Sequence, residues 1–176
     1  MSMEFLIFTY KIASEPSKNR VYIWRTLKEL GVVYIQQGVV LLPDKQELYS
    51  LLISLREQIH TWGGKSSLGK MNFLQPEDER DLVEEFKSQI DKEYLEFIEN
   101  CNRFVNELDL DREQGEFNFS EITENEEEYK KYKRWYQKIE KRDYFMSELK
   151  AQASELLEIA NRKMLEFSEE VYKREL

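Results

Sequence analysis

Residues 5–43 read FLIFTYKIASEPSKNRVYIWRTLKELGVVYIQQGVVLLP, and this stretch decides the fold. It opens with an apolar run, 4–12, whose aromatic and β-branched residues predict a buried central strand. A polar loop then leads into a helix that ends at Gly31, because glycine is the residue that most readily closes a helix. Two short strands follow on either side of Gln37-Gly38, a pair typical of a tight hairpin turn.

A second helix and a fourth strand are predicted before residue 76. Pro43 stops the hairpin, and Asp44 and Glu47 have the spacing of a capping box at the start of a helix. The whole order, β-α-β-β-α-β, is that of a ferredoxin-like unit, so we expect an antiparallel sheet with two helices on one face. The predicted strands are 4–12, 32–36, 39–42 and 68–74.

Apolar residues at intervals of three and four predict which side of each of these helices is buried. Pro16 suits the first turn of the first helix, where its missing N–H costs nothing. The predicted buried positions are Val21, Trp24, Leu27 and Leu30 in the first helix, and Leu48, Leu51, Leu52, Leu55 and Ile59 in the second.

From Pro76 onward the apolar residues follow a helical period throughout. A helix of about thirty residues is predicted first, then a polar loop over 109–120. Thr123 with Glu126 is a second capping box and predicts the start of the next helix, on which Trp135 lies on an aromatic face. A third apolar stripe runs over 145–171. The sequence therefore predicts an α+β protein, with a ferredoxin-like domain at 1–75 followed by an antiparallel bundle of three long helices at 76–176.

Charge is divided unevenly between these two predicted domains. Residues 1–75 hold nine Lys/Arg and six Asp/Glu, a net of +3, whereas residues 76–176 hold seventeen and twenty-nine, a net of −12. An acidic chain is a poor general binder of polyanions, so contacts with DNA are expected only in the basic N-terminal part. The single cysteine, Cys101, suits a reducing cytoplasm, and no apolar run reaches the roughly 20 residues of a membrane span.

Three weaker motifs favour structural roles. Gly64-Lys65-Ser66 resembles the end of a phosphate-binding loop, but Ile59 stands where the first glycine is needed, so we expect a turn. His60 is the only histidine, which leaves it without the partners of a zinc site or a catalytic triad. Cys101 lies on the apolar stripe of its helix and is expected in the core. We expect no metal, cofactor or catalytic residue.

The loop 14–20 is the best candidate for binding. Free backbone N–H groups and the dipole at a helix start favour an anion, either a phosphate or a small oxyanion. The residues proposed to bind an anion or DNA phosphates are Lys11, Ser14, Ser17, Lys18, Arg20 and Arg25. A well-capped, solvated turn explains the same residues and stays open as an alternative.

These residues resemble the N-terminal domain of the chromate-resistance regulator ChrB. The resemblance runs through Ser14-Glu15-Pro16-Ser17, Arg20 and Trp24-Arg25, and on to Gly38-Val39 and Leu42-Pro43. A second block, which includes Glu124-Asn125-Glu126 and Arg134-Trp135, is similar to the same domain.

The resemblance implies a cytoplasmic regulator of chromate resistance that binds promoter DNA and responds to chromate. Full family members carry a further C-terminal domain implicated in the chromate response, and this sequence ends at Leu176 without one. The first unit is also similar to the CRISPR-adaptation nuclease fold and to the middle domain of PaaX repressors, which implies a homodimer. In that nuclease family an aspartate closes the first strand, whereas Lys11 stands there in this sequence and argues against a metal nuclease. The alternatives to a regulator are a non-catalytic protein-interaction module and a small nuclease.

Overall fold

The computed structural model describes residues 2–115 and 118–175. The chain separates into two compact units, Met1–Ser88 and Gln89–Leu176, and one long helix, α3 (Pro76–Gln114), begins in the first and continues into the second. The other elements of the first unit are β1 (Phe5–Lys11), α1 (Ser17–Leu30), β2 (Val33–Gln36), β3 (Val39–Pro43), α2 (Tyr49–Thr61) and β4 (Lys65–Met71), with a 3-10 turn at Gln46–Leu48.

The four strands form one antiparallel sheet in the order β2-β3-β1-β4. This is the ferredoxin-like order, and it confirms the fold class predicted from the sequence. β1 and β3 are the two interior strands, and Phe8 of β1 pairs with Val40 on one side and with Leu68 on the other. The prediction for the fourth strand was three residues late: β4 begins directly after Gly64, whose position allows no side chain because a Cβ there would lie 2.8 Å from the Lys11 carbonyl oxygen.

The buried side of α1 differs from the prediction. Ile23 and Leu27 are fully buried, whereas Val21 and Trp24 are 42% and 48% exposed. Leu27 lies on the predicted stripe with Val21 and Trp24 and also on a stripe with Ile23, so the spacing of apolar residues does not decide between the two. Packing within the first unit, called the sheet unit below, buries the Ile23 side. Pro16 immediately precedes the helix instead of lying in its first turn, and Gly31 ends the helix in the left-handed conformation as predicted.

α2 also begins differently from the prediction. Asp44 does not cap it, because the chain first forms the 3-10 turn. The Asp44 carboxylate instead accepts a hydrogen bond from the Tyr49 hydroxyl and pairs with the Lys70 ammonium group at 2.8 Å. Hydrogen bonds from Lys70 and then Tyr49 lower the pKa of Asp44. α2 packs against β1 and β4, and Leu51, predicted to be buried, is 50% exposed.

The second unit contains most of α3, then α4 (Phe119–Arg142) and α5 (Leu149–Glu175). The helical structure predicted for this half is confirmed, but α3 is 39 residues long and includes residues 109–114 of the predicted loop. Residues 116 and 117 of that loop lie outside the described residues. α4 begins four residues before Thr123, because Asn118 is its cap and accepts a hydrogen bond from the Glu121 amide at 3.0 Å.

Hydrogen bonds between the helices of this unit give their directions. The Tyr132 hydroxyl donates to the Asn100 carbonyl, and the Tyr94 hydroxyl donates to Asp143, so α4 runs antiparallel to α3. Ser147, just before α5, bonds to Asp91 in α3, and Lys163, later in α5, pairs with Asp109, later in α3. α5 therefore runs parallel to α3, as in an up-down-up bundle.

Aromatic residues fill the contact between α3 and α4. The fully buried Phe97 lies 5.5 Å from Trp135 and 5.9 Å from Tyr136, measured between ring centroids. Trp135 therefore packs against a partner helix as predicted, although its side chain is only partly buried. Within the described residues, no helix combines the length and the apolar composition that crossing a bilayer requires.

The turn between β2 and β3 offers a direct test of the sheet unit. Gly38 and Gly63 both have φ near +75°, but a Cβ on Gly38 would lie 2.4 Å from the Tyr10 carbonyl oxygen, whereas Gly63 has open space around it. We predict that Gly63→Ala destabilises the protein by about 1–2 kcal/mol through backbone strain alone. Gly38→Ala should cost at least about 1 kcal/mol more, because the strand must also move. Urea unfolding followed by circular dichroism measures both, and equal losses would contradict the prediction.

Candidate anion-binding site

The first unit contains a cleft where β1 ends beside the β2–β3 turn. The Tyr10 amide donates to the Gly38 carbonyl at 2.8 Å, which holds the turn against the strand. The cleft has a volume of about 430 Å³. Its lining residues are Tyr10, Lys11, Ile12, Arg20, Gln37 and Gly38. The fold thus brings Lys11, the last residue of β1, and Arg20, from the first turn of α1, to one cavity.

A smaller cleft lies along the start of α1. It has a volume of about 260 Å³ and is lined by Ser17, Arg20, Val21 and Trp24. Arg20 lines both clefts and is the residue that they share. Ser17, which the sequence placed in the site, belongs only to this second cleft.

The start of α1 has little of the capping that ordinary helices use. Pro16 occupies the capping position without a side-chain hydrogen bond, and the first turn contains no acidic residue. The Glu15 carboxylate accepts one hydrogen bond from the Ser17 amide at 3.3 Å. The Asn19 amide donates to the Pro16 carbonyl oxygen at 3.2 Å, so two amides at this helix start have partners and a solvated turn stays open as an alternative.

Cations at this helix start oppose the helix dipole. Lys18 and Arg20 lie in the first turn, where the positive end of the dipole favours negative charge. Across residues 2–115 and 118–175, no ion pair involves Lys11, Lys18, Arg20 or Arg25. Two lysines of the other unit differ: Lys130 and Lys131 each pair with a carboxylate three residues earlier. A bound anion would relieve the unfavourable charge at the start of α1.

Three of the predicted site residues do not join the clefts. Ser14, Lys18 and Arg25 are exposed and line neither of the two cavities described above. Ser14 precedes the helix by three residues, and Arg25 lies two turns into it. The structure therefore divides the predicted set into a cleft pair, Lys11 and Arg20, and surrounding surface positions.

Two features of this region were missed from the sequence. The hydroxyl groups of Tyr10 and Tyr34 are hydrogen-bonded at 3.0 Å, and burial followed by this hydrogen bond raises the pKa of Tyr34. Lys65 stands directly opposite Lys11 in the β1–β4 register, and like charges in such a pair are destabilising. Both contacts depend on strand register, which local spacing does not reveal.

The structure also places the three weaker motifs. Lys65 and Ser66 begin β4, so the Gly64-Lys65-Ser66 sequence enters a strand, and His60 at the end of α2 accepts a hydrogen bond from the Ser66 amide at 3.2 Å through Nε2. Cys101 is fully buried in the core of the helical unit, and burial raises the pKa of its thiol to about 11. Among the described residues, no group of three or more His, Cys, Asp or Glu is arranged to hold a metal ion.

Comparison with known proteins identifies a family. No curated protein and no solved structure matches the chain significantly. A family model described as the N-terminal region of protein ChrB matches residues 20–176. The match begins at Arg20, so Lys11 and the residues 14–18 precede it, whereas Arg25 lies within it. Because the matched residues make up most of the chain, this protein belongs to the ChrB N-terminal family, which is related to chromate resistance.

Proposed function

We propose that this protein is a DNA-binding module of a transcriptional regulator of chromate resistance, acting in the cytoplasm. The observation that carries the proposal is the convergence of Lys11 and Arg20 on one cleft, beside a helix whose first turn contains no acidic residue. Family membership supports the connection with chromate resistance. The part of the chain that supplies these residues, 1–75, has a net charge of +3.

The chemistry of the site suits a phosphate group. The dipole of α1 gives a positive potential at the start of the helix, which favours an anion there. Lys11 and Arg20 contribute two full charges, and the exposed Lys18 lies within reach of a second phosphate. Binding then releases counterions from the DNA, which is the main source of affinity for a phosphate backbone. These contacts position the protein and do not read the sequence.

The same cleft suits a single tetrahedral oxyanion. We propose that chromate, which the family resemblance implies as a signal, occupies the position of a DNA phosphate between Lys11 and Arg20. Chromate and DNA would then compete for the same cations. Sodium chromate and sodium sulfate, both salts of tetrahedral dianions, should each weaken protein–DNA binding more than sodium chloride does at equal ionic strength, and equal effects of all three salts would contradict this proposal.

A catalytic role is not part of the proposal. Lys11 ends β1, at the position where a metal nuclease of similar fold needs a carboxylate, and an ammonium group repels a divalent cation. The proposed DNA-binding titrations should therefore leave the DNA intact when Mg²⁺ is added.

We also propose that the protein forms a homodimer, because one edge strand of the sheet exposes large apolar side chains. β2 is an edge strand, and it exposes Tyr34 by 38% and Ile35 by 49%. Exposed strand edges pair readily with other chains. We expect the protein to have twice the mass of one chain in light scattering, and Ile35→Lys to produce monomers. A wild-type monomer would contradict the proposal.

The phosphate contacts predict a defined response to salt. Replacing Lys18 and Arg20 together with Ala should weaken binding to every DNA sequence alike, because both side chains are proposed to contact phosphates. The slope of log affinity against log salt should fall by about two, roughly one for each lost contact. Fluorescence anisotropy at several salt concentrations, with the promoter segment upstream of the protein's own gene, measures the slope.

Two cations of the helical unit provide the control. Lys130→Ala with Lys131→Ala removes the same charge from positions already neutralised by Glu127 and Glu128. This control should leave the affinity and the slope unchanged. An unchanged slope in the Lys18→Ala, Arg20→Ala variant, or an equal fall in the control, would contradict phosphate binding at the start of α1.

A further inference from the structure

The outer face of α1 is exposed although it carries large apolar residues. The buried face consists of Asn19, Ile23 and Leu27, which recur every four residues. On the opposite side, Val21 and Trp24 are 42% and 48% exposed. Large apolar side chains exposed beside one another are typical of an interaction surface.

The charges on this helix favour a polyanion as the occupant of that face. Between Ser17 and Leu30 there are four cations and a single acidic residue, Glu29. The cations are Lys18, Arg20, Arg25 and Lys28. Among the described residues none of the four takes part in an ion pair, and the Lys28 ammonium group lies 4.7 Å from the centre of the Trp24 ring. A protein partner would have to supply several carboxylates, whereas DNA presents a regular row of phosphates.

The dimensions of α1 also suit DNA. Its 14 residues span about 21 Å at a rise of about 1.5 Å per residue. A helix with side chains is about 10–12 Å across, and the major groove is about 12 Å wide. Val21 and Arg25 lie one turn apart at the centre of the outer face, while Lys18 lies near its start and Lys28 near its end.

We propose that α1 is the element that reads DNA sequence, lying in the major groove with its outer face toward the bases. Arg25 donates two hydrogen bonds to the edge of a guanine, and Val21 packs against a thymine methyl group, the apolar feature of that groove. Lys18, Arg20 and Lys28 contact phosphates on either side. This inference rests on the proposed DNA-binding function and adds to it the residues that give specificity.

The test separates sequence reading from backbone binding. Two duplexes serve as probes: the promoter segment upstream of the protein's own gene, and a scrambled duplex of the same length and composition. Arg25→Ala should lower affinity for the promoter segment by about 5- to 150-fold, the range expected for one lost guanine contact. Affinity for the scrambled duplex should fall only by the smaller factor that follows from losing one positive charge near the phosphates. Val21→Ser should also reduce the ratio of affinity for the promoter segment to affinity for the scrambled duplex.

Matched variants keep the result interpretable. Lys18→Ala with Arg20→Ala should weaken both complexes alike and preserve the preference, and Arg103→Ala, in α3, should change neither. Circular dichroism checks that each variant is folded. We expect Val21→Ser and Arg25→Ala to fold normally, because both side chains are exposed in the wild-type protein.

The possible failures differ from one another. If the wild-type protein binds both duplexes equally, or Arg25→Ala leaves the preference unchanged, sequence reading by α1 is wrong while DNA binding stands. If Trp24→Glu changes the mass of the free protein and Arg25→Ala leaves the preference intact, the face is a protein contact. If the wild-type protein binds neither duplex at low salt, the proposed function itself is wrong.

Discussion

The pairing of β1 with both β3 and β4 is the constraint on which the rest of the sheet unit depends. β1 pairs along its whole length, Phe5–Lys11, with β4 and over residues 5–9 with β3, so it joins the two halves of the sheet. This pairing places Lys11 at the end of the interior strand β1, directly after Tyr10, whose amide donates a hydrogen bond to the Gly38 carbonyl in the β2–β3 turn. The same register leaves Gly38 and Gly64 no room for a side chain. The candidate cleft is therefore a consequence of how the central strand ends.

Much of this unit could be predicted from the sequence because its signals are local. The apolar run of β1, the glycine that ends α1 and the Gln37-Gly38 turn each act within a few residues, and together they predict the order of strands and helices along the chain. The rotation of α1 could not be predicted in this way. Ile23 and Val21 both lie on stripes that include Leu27, and only packing within the sheet unit shows which stripe is buried.

The start of α4 illustrates the same limit. Asn118 and Thr123 each precede a glutamate by three residues, so both have the spacing of a capping box. The structure uses Asn118, and the earlier start adds a turn of hydrogen-bonded helix. In the candidate site, Lys11 and Arg20 were recognised because they flank one strand-to-helix loop. The Tyr10–Tyr34 hydrogen bond was missed because it joins residues that only the sheet brings together.

The division of charge along the chain gives the proposed function its physical basis. Residues 76–176 have a net charge of −12 and would repel a phosphate backbone, so attraction is restricted to the N-terminal part. Within that part the cations of α1 are exposed and stand at a helix start that contains no acidic residue in its first turn. This arrangement is unfavourable for the helix on its own. It becomes favourable once an anion is bound, which is why binding of DNA by this face is the central claim.

Nuclear magnetic resonance of the intact ¹⁵N-labelled protein tests that claim most directly. Backbone amide signals are followed while the promoter duplex is added at physiological salt. The account predicts that the largest changes occur at Lys11, at Gly38 and through residues 17–25, with small changes in α4. Changes confined to α4 and α5, or no change with DNA in excess, would contradict it.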